Sequence, residues 1–195
     1  MLNIKMGMDE IKKLHRLYAL KEVDRYGVVK HRRESTAEHV YSCLVLAQYF
    51  LTKTRRKLDQ NKVMKMLLYH DIVEIESGDV YFLDEKKLEQ KKKIENKAFE
   101  RLKKQIPSSM TKEIESLWRE FEENKTKEAK FCQAIDKFDP AVHFLEKKED
   151  WVKQKLTEKI VREKKDPYLK DFPEIMAMWN KIIAYAKKNG YFVEK

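Results

Sequence analysis

The chain has 195 residues, of which 42% are hydrophobic; this is enough for a globular protein with a sizeable core and excludes a disordered chain. The formal net charge is +10, but 33 acidic residues are interleaved with 43 Lys and Arg, and no basic stripe, zinc-finger spacing or RNA-recognition signature occurs, so nucleic-acid binding is not expected. The apolar runs are too short to span a membrane, and the first residues are too charged for a signal peptide. These features predict a soluble, cytoplasmic protein with no membrane partner.

Apolar residues recur at spacings of three and four, and only 4 Gly and 4 Pro occur; this pattern predicts an all-α fold. A first helix is predicted from about Met8 to Glu22, ending at a turn marked by Gly27. An extended stretch follows. The next helix begins at Ser35, because Ser35 and Glu38 have the spacing of a capping box.

A third helix is predicted from about Gln60 to Glu76, and it is apolar nearly all round, as expected of a central, buried helix. His70 and Asp71 lie inside it, and Glu74 follows His70 by one turn. Burying such groups unpaired is costly. Either the two side chains satisfy each other, or a cation lies between them and further ligands.

The second half of the chain is also predicted to be helical, and no repeat or linker divides it. We expect one domain over residues 1–195, with a core from about 11 to 147 that carries the motifs. The further predicted helices cover about 85–105, a segment capped by Ser109 or Thr111, about 127–147, about 149–164 and about 173–188. Cys43 and Cys132 lie far apart and are expected to be buried, reduced thiols.

Three acidic or imidazole positions suggest a metal site, although each taken singly is more often a packed side chain. Asp136 lies on the apolar side of its helix and needs a partner. His39 and His70 would add one imidazole from each of two helices. A mixed set of nitrogen and oxygen ligands suits Mn, Fe, Co, Ni or Zn better than Ca or Mg.

The order Glu38–His39, His70–Asp71, then a lone Asp136 resembles the HD-domain metal-dependent phosphohydrolases. The stretch LLYHDIVEIESGDV, residues 67–80, is similar to the H-D-x-x-E-x-x-x-G-D signature of the 5'-deoxynucleotidase branch. The stretches ESTAEHVYSCLVLA and KFCQAIDKFDPAVHFLE resemble its first-histidine and final-aspartate segments. The resemblance covers about residues 11–147.

This resemblance implies an HD-domain helical bundle, usually a homodimer, in which His39, His70, Asp71 and Asp136 bind one divalent cation. It also implies that Glu74 activates the attacking water or manages protons. No histidine lies between Asp71 and His143, which favours one metal over two.

Substrate contacts are implied for three further residues. Arg25 resembles the phosphate-binding arginine of the family, Tyr26 stands where the family usually has a nearby Trp, and Asp79 corresponds to the acid that contacts deoxyribose. Asp79 also fits a plain turn residue. The alternative phosphate partners are Lys30, Arg32 and Arg33.

The predicted function is hydrolysis of deoxyribonucleoside 5'-monophosphates by metal-activated water. Two alternatives keep the same metal site. One is an HD phosphohydrolase for another small phosphoester or a nucleoside triphosphate, and the other is a catalytically weak regulatory protein that binds metal or nucleotide.

Overall fold

The computed structural model describes residues 7–193, and across this range the protein is helical apart from one β-hairpin, which confirms the all-α fold class. No helix in that range is long and apolar enough to cross a membrane. The helices are α1 (Met8–Leu17), α2 (Thr36–Leu51), α3 (Gln60–Tyr69), α4 (Glu74–Ser77), α5 (Glu85–Leu102), α6 (Ser108–Glu123), α7 (Lys127–His143), α8 (Lys148–Lys153), α9 (Glu158–Leu169) and α10 (Pro173–Lys188).

The first predicted helix is confirmed, although its last turn, Tyr18–Glu22, is a 3-10 helix. The predicted turn at Gly27 is wrong, because Gly27 lies inside strand β1 (Asp24–Val29). Its partner is strand β2 (Arg32–Ser35), antiparallel to β1, and the register shifts between Asp24 and Val28. Gly27 therefore lies in an irregular stretch of strand, where glycine is common, and the chain reverses at Lys30, whose φ is 54°.

The prediction of one continuous third helix is wrong in its middle part. Helix α3 ends at Tyr69, and the short helix α4 begins at Glu74. Between them the amide of Ile72 donates to the carbonyl of Tyr69 (3.1 Å) and that of Glu74 to the carbonyl of Asp71 (3.0 Å). These bonds span three residues rather than four, so the chain is wound more tightly than an α-helix. His70 and Glu74 are therefore not on one continuous helix face.

Two later boundaries also differ from the predictions. Helix α6 begins at Ser108, so neither Ser109 nor Thr111 is its cap. The helix predicted over 149–164 is two helices, α8 and α9. Thr157 separates them and caps α9, since its hydroxyl accepts a hydrogen bond from the amide of Ile160 (3.2 Å).

The chain divides into two compact units, each with its own core. The first unit comprises Met1–Tyr41 and Met66–Glu120, and in its core Phe99 stacks on Trp118 with ring centroids 5.0 Å apart.

The second unit comprises Ser42–Lys65 and Phe121–Lys195. In its core Phe50 meets Phe138 edge to face at 5.5 Å. The thiols of Cys43 and Cys132 are both buried and form no disulfide, as the sequence predicts.

Candidate metal centre and substrate site

His39 is placed by the start of helix α2, where the predicted capping box is confirmed. The amide of Ser35 donates to Glu38 Oε2 (2.9 Å), and the amide of Glu38 donates to Ser35 Oγ (3.3 Å). This exchange satisfies backbone donors at the helix start and fixes the direction of the first turn. His39 lies in that turn and is fully buried.

His39 and His70 converge on the carboxylate of Asp71. Asp71 Oδ2 is 3.2 Å from Nε2 of His70 and 3.6 Å from Nε2 of His39, and a nitrogen of each ring lies within 4.8 Å of the other. Donors about 2.1 Å from one ion, at bond angles of about 90–110°, lie about 3.0–3.4 Å apart. The separation of Asp71 from His70 falls within this range, and the separation of Asp71 from His39 is slightly wider.

The tautomer of His70 is set by a backbone contact. Its Nδ1 lies 2.7 Å from the carbonyl oxygen of Leu67, and the pair is buried. A carbonyl only accepts, so Nδ1 carries a proton, and in the neutral ring Nε2 has its lone pair towards Asp71. This is the arrangement of a metal-binding imidazole oriented by a carbonyl.

Asp71 is buried, yet its charged form is favoured. Burial opposes the charge, but His70, Arg25 and His39 outweigh it and hold the pKa of Asp71 below its usual range. Arg25 Nη1 is 3.2 Å from Asp71 Oδ2. A carboxylate at this position is an anionic donor for a cation.

Glu74 lies at the start of α4 and is 3% exposed. The hydroxyl of Thr36 donates to Glu74 Oε2 (2.9 Å) inside the protein. Burial, followed by the charge of Asp71, raises the pKa of Glu74 well above its usual value, and Arg25 opposes the rise in part. The carboxylate of Glu74 therefore has a raised affinity for a proton, which suits a group that accepts one.

Arg25 links the donor set to the loop after α4. The same Nη1 that contacts Asp71 also donates to Asp79 Oδ1 (3.2 Å), and Nε lies 3.8 Å from Glu34 Oε2. Burial raises the pKa of Asp79, although the charge of Arg25 acts against it. Gly78, with φ of 72°, makes the left-handed turn that leads to Asp79.

Tyr26, next to Arg25, stacks on Tyr81 with ring centroids 4.3 Å apart.

Of the alternative phosphate partners, Arg32 forms two hydrogen bonds to Glu38 (2.6 and 2.7 Å) and lowers the pKa of that carboxyl to about 2. Arg33 donates to the carbonyl oxygen of Tyr26 (3.1 Å). Both guanidinium groups are therefore engaged in holding the hairpin and the start of α2.

The sequence pattern gives no signal for two residues at this site, Thr36 and Tyr81. Thr36 is only the residue after a predicted cap, and Tyr81 is one aromatic in a predicted loop. Their contacts depend on the fold, which brings the start of α2 to α4 and the hairpin to the loop after α4.

Asp136, the fourth expected ligand, belongs to the second unit. It lies on α7, the residue is 8% exposed, and Lys137 Nζ is 2.7 Å from Oδ2. The other expected residues, His39, His70, Asp71, Glu74, Arg25, Tyr26 and Asp79, all lie in the first unit.

The fold is helical, and the buried His–His–Asp cluster is a candidate set of metal ligands. A sequence profile of the family described as HD domain matches residues 17–176. The chain therefore belongs to the HD-domain family.

Several curated proteins are similar to this chain. The 5'-deoxynucleotidase HDDC2 of Xenopus laevis is 33% identical over 133 residues, which is 67% of this chain and 65% of that protein. The human 5'-deoxynucleotidase HDDC2 is 31% identical over 60% of this chain and 57% of its own length. The chain thus matches less than two thirds of the length of these relatives.

Solved structures share the fold. A crystal structure of a protein described as a predicted metal-dependent phosphohydrolase from Magnetospirillum magnetotacticum MS-1 superposes with a TM-score of 0.81. It is 27% identical and covers 96% of this chain and 98% of that one.

Proposed function

We propose that this protein is a metal-dependent phosphomonoesterase that hydrolyses deoxyribonucleoside 5'-monophosphates. The observation that carries the proposal is the position of Arg25, whose guanidinium lies against Asp71 of the cluster and Asp79 of the following loop. A guanidinium to bind the phosphate and a carboxylate to accept a hydrogen bond from the sugar thus lie next to the proposed metal ligands. The similarity to 5'-deoxynucleotidases supports the same substrate class.

The proposed metal ligands are His39, His70, Asp71 and Asp136. The first three present their donor atoms around a common point, and the buried carboxylate of Asp136 supplies the fourth. Two nitrogen and two oxygen donors suit one divalent ion among Mn, Co, Zn, Fe and Ni. When bound, such an ion lowers the pKa of a water and offsets charge on the phosphate.

The protein's own groups bind the substrate and handle the proton. Arg25 binds the phosphate, because a guanidinium can donate two parallel hydrogen bonds to its oxygens. Glu74 accepts the proton of the attacking water, and the hydroxyl of Thr36 holds its carboxyl group in place. Asp79 accepts a hydrogen bond from a deoxyribose hydroxyl, and Tyr26 lies beside it.

The test is phosphate release from a panel of nucleoside 5'-monophosphates, 5'-triphosphates and other small phosphoesters, with Mn²⁺ or Co²⁺ and with chelator. We expect release from deoxyribonucleoside monophosphates, and its loss with chelator, His70→Ala or Asp71→Ala. Full activity of either variant would contradict the proposal. Preferential cleavage of triphosphates would instead support the alternative substrate class.

We further propose that the protein is a cytoplasmic homodimer, as the family resemblance implies. One chain has a mass of 23.6 kDa. Sedimentation velocity is expected to give twice that mass at micromolar concentration. A single species of one chain's mass over the whole concentration range would contradict the homodimer.

A further inference from the structure

A cluster of three aromatic residues joins strand β1 to the loop that carries Asp79. The rings of Tyr26 and Tyr81 stack with centroids 4.3 Å apart and planes 26° from parallel. Phe82 meets Tyr81 edge to face at 5.0 Å. Aromatic pairs prefer these offset-stacked and edge-to-face geometries, so the three rings form an ordered cluster.

This cluster lies directly beside the proposed phosphate and sugar contacts. Tyr26 follows Arg25 in strand β1, and Tyr81 follows Asp79 by two residues. Arg25 Nη1 also donates to Asp79 Oδ1 at 3.2 Å. The hairpin and the loop after α4 therefore meet twice, once through the ion pair and once through the stacked rings.

The cluster is not part of the buried core. Tyr26, Tyr81 and Phe82 are half-buried, whereas core rings such as Phe99 and Trp118 are almost fully buried. Burial raises the pKa of Tyr81 to about 12, so its ring is neutral at physiological pH and adds no negative charge next to a phosphate. Arg33 lies over the Tyr26 ring, with its Cζ 5.2 Å from the ring centroid, so Tyr81 and Phe82 supply the partly exposed, neutral aromatic surface at the sugar end of the site.

We propose that Tyr81 is a specificity-determining residue and that its ring, supported from one side by Tyr26, is the platform on which the nucleobase of the substrate stacks. The inference rests on the proposed function and deepens it, because it assigns the base-binding part of the site. A nucleotide held by Arg25 at its phosphate and by Asp79 at its sugar has its base within reach of these rings. Stacking on aromatic rings recognises every base by its π-face, and most strongly the larger purines.

The experiment compares two substrates that differ only by the base, a deoxyribonucleoside 5'-monophosphate and 2-deoxyribose 5-phosphate. The quantity measured is the ratio of their kcat/KM values, together with KM and kcat for the nucleotide. In Tyr81→Ala we expect the ratio to fall about tenfold, mainly through a higher KM. Tyr81→Phe keeps the ring and should restore the ratio, whereas Tyr81→Leu should not.

Tyr18→Ala is the matched control, because Tyr18 is an exposed tyrosine of the same unit whose ring lies against Lys21 (4.6 Å) and His15 (6.0 Å). An equal loss of kcat/KM on both substrates in Tyr81→Ala would mean that the ring only supports the loop, and this would overturn the inference. An unchanged ratio would overturn it as well.

Calorimetric titration with the same two ligands separates this inference from the proposed function. Absence of phosphate release from every nucleotide would contradict the function alone. Equal affinities of wild type and Tyr81→Ala for the nucleotide would contradict the base platform.

Discussion

At the scale of single residues, the adjacent His70 and Asp71 show how a polar pair is accommodated inside an apolar segment. The Nδ1 proton of His70 is donated to the carbonyl of Leu67, and Asp71 lies against both imidazoles and Arg25. The carbonyl of Leu67 and the guanidinium of Arg25 offset part of the cost of burial, whereas Nε2 of the neutral His70 ring and the carboxylate of Asp71 are both acceptors, which a bound cation would satisfy. The same contacts direct a histidine nitrogen and a carboxylate oxygen to one point. The arrangement that accommodates the buried pair therefore also brings together two atoms that can bind a metal ion.

Asp136 provides a direct test of the proposed ligand set. In Asp136→Asn we expect metal affinity to fall by more than about 100-fold, since loss of even an outer partner of a ligand costs about 10–100-fold. Phosphate release should fall in parallel. Metal content after dialysis and isothermal titration measure the first effect.

Asp139→Asn is the matched control for this prediction, because Asp139 is also a buried carboxylate on α7. It should retain metal, and circular dichroism should show that both variants fold. Wild-type metal affinity in Asp136→Asn would remove this residue from the ligand set.

Substitution of Thr36 tests whether Glu74 must be held in a fixed position for catalysis. Thr36→Val removes the hydroxyl that donates to Glu74 but keeps the side chain's shape. We expect a loss of about 1–3 kcal/mol in the free energy of unfolding, because a buried carboxyl group loses its donor. A fall in kcat of about tenfold should accompany it, which is a small part of what a general base contributes.

Urea denaturation and steady-state kinetics measure the two effects, and Thr36→Ser should recover both because it restores the hydroxyl. If kcat in Thr36→Val equals that of the wild type, this hydroxyl does not position a catalytic group.

At the scale of elements, local signals in the sequence predict more than tertiary ones do. The capping box of Ser35 and Glu38 was predictable because both partners lie within one turn. The break of the third helix was not predictable, because the side chains beside it are held by residues far away in the chain: Thr36 donates to Glu74, and Arg25 donates to Asp71. The hairpin was missed for a related reason. A glycine such as Gly27 often marks a turn, and only the pairing of β1 with β2 shows that this one lies within a strand.

The short helix α4 depends on a hydrogen-bonded cluster around Glu76. Its carboxylate accepts from Arg16 of α1 (2.6 Å), from Arg101 of α5 (2.9 Å) and from Gln105 (2.8 Å). A helix of one turn has little stability of its own. These bonds therefore hold the segment that carries Glu74 at one end and leads to Asp79 at the other.

Glu76→Gln is expected to lower the free energy of unfolding at pH 7 by about 1–3 kcal/mol, as for loss of hydrogen bonds to charged groups. It should also lower kcat/KM, because both Glu74 and Asp79 depend on the placement of α4. Glu115→Gln is the control, since Glu115 has an exposed partner, Arg119, in a pair worth at most about 1 kcal/mol. Equal effects of the two substitutions would contradict a special role for Glu76.

The stabilisation by Glu76 should depend on pH in a defined direction. Burial raises the pKa of Glu76, but the bonds from Arg101, Arg16 and Gln105 outweigh it, so the folded-state pKa lies below the usual value of about 4.3. The contribution is then complete above the unfolded-state pKa and is lost as pH falls through the lower, folded-state pKa.

Urea unfolding of wild type and Glu76→Gln should therefore show a constant difference from pH 7 to about pH 5 and a smaller one below about pH 4. A difference that grows on acidification would contradict this assignment.

At the scale of the whole molecule, the proposed ligands come from positions far apart in the chain, at residues 39, 70, 71 and 136. A metal ion that binds all of them joins distant segments, which an unfolded chain does not hold together. Binding to the folded state alone stabilises it by mass action, by about 2.7 kcal/mol when the free ion is 100 times its dissociation constant. Metal binding should therefore be linked to the stability of the chain.

Removal of metal with a chelator is expected to lower Tm and to abolish phosphate release together, and added Mn²⁺ or Co²⁺ should restore both. For a chain of this size a change of this magnitude corresponds to roughly 5–10 °C in Tm. His70→Ala is the decisive variant, because it lacks one proposed ligand: its Tm should not respond to chelator or to added metal. Differential scanning calorimetry of both proteins, with and without chelator, measures the effect. A metal-dependent rise in Tm that persists unchanged in His70→Ala would show that the ion binds elsewhere.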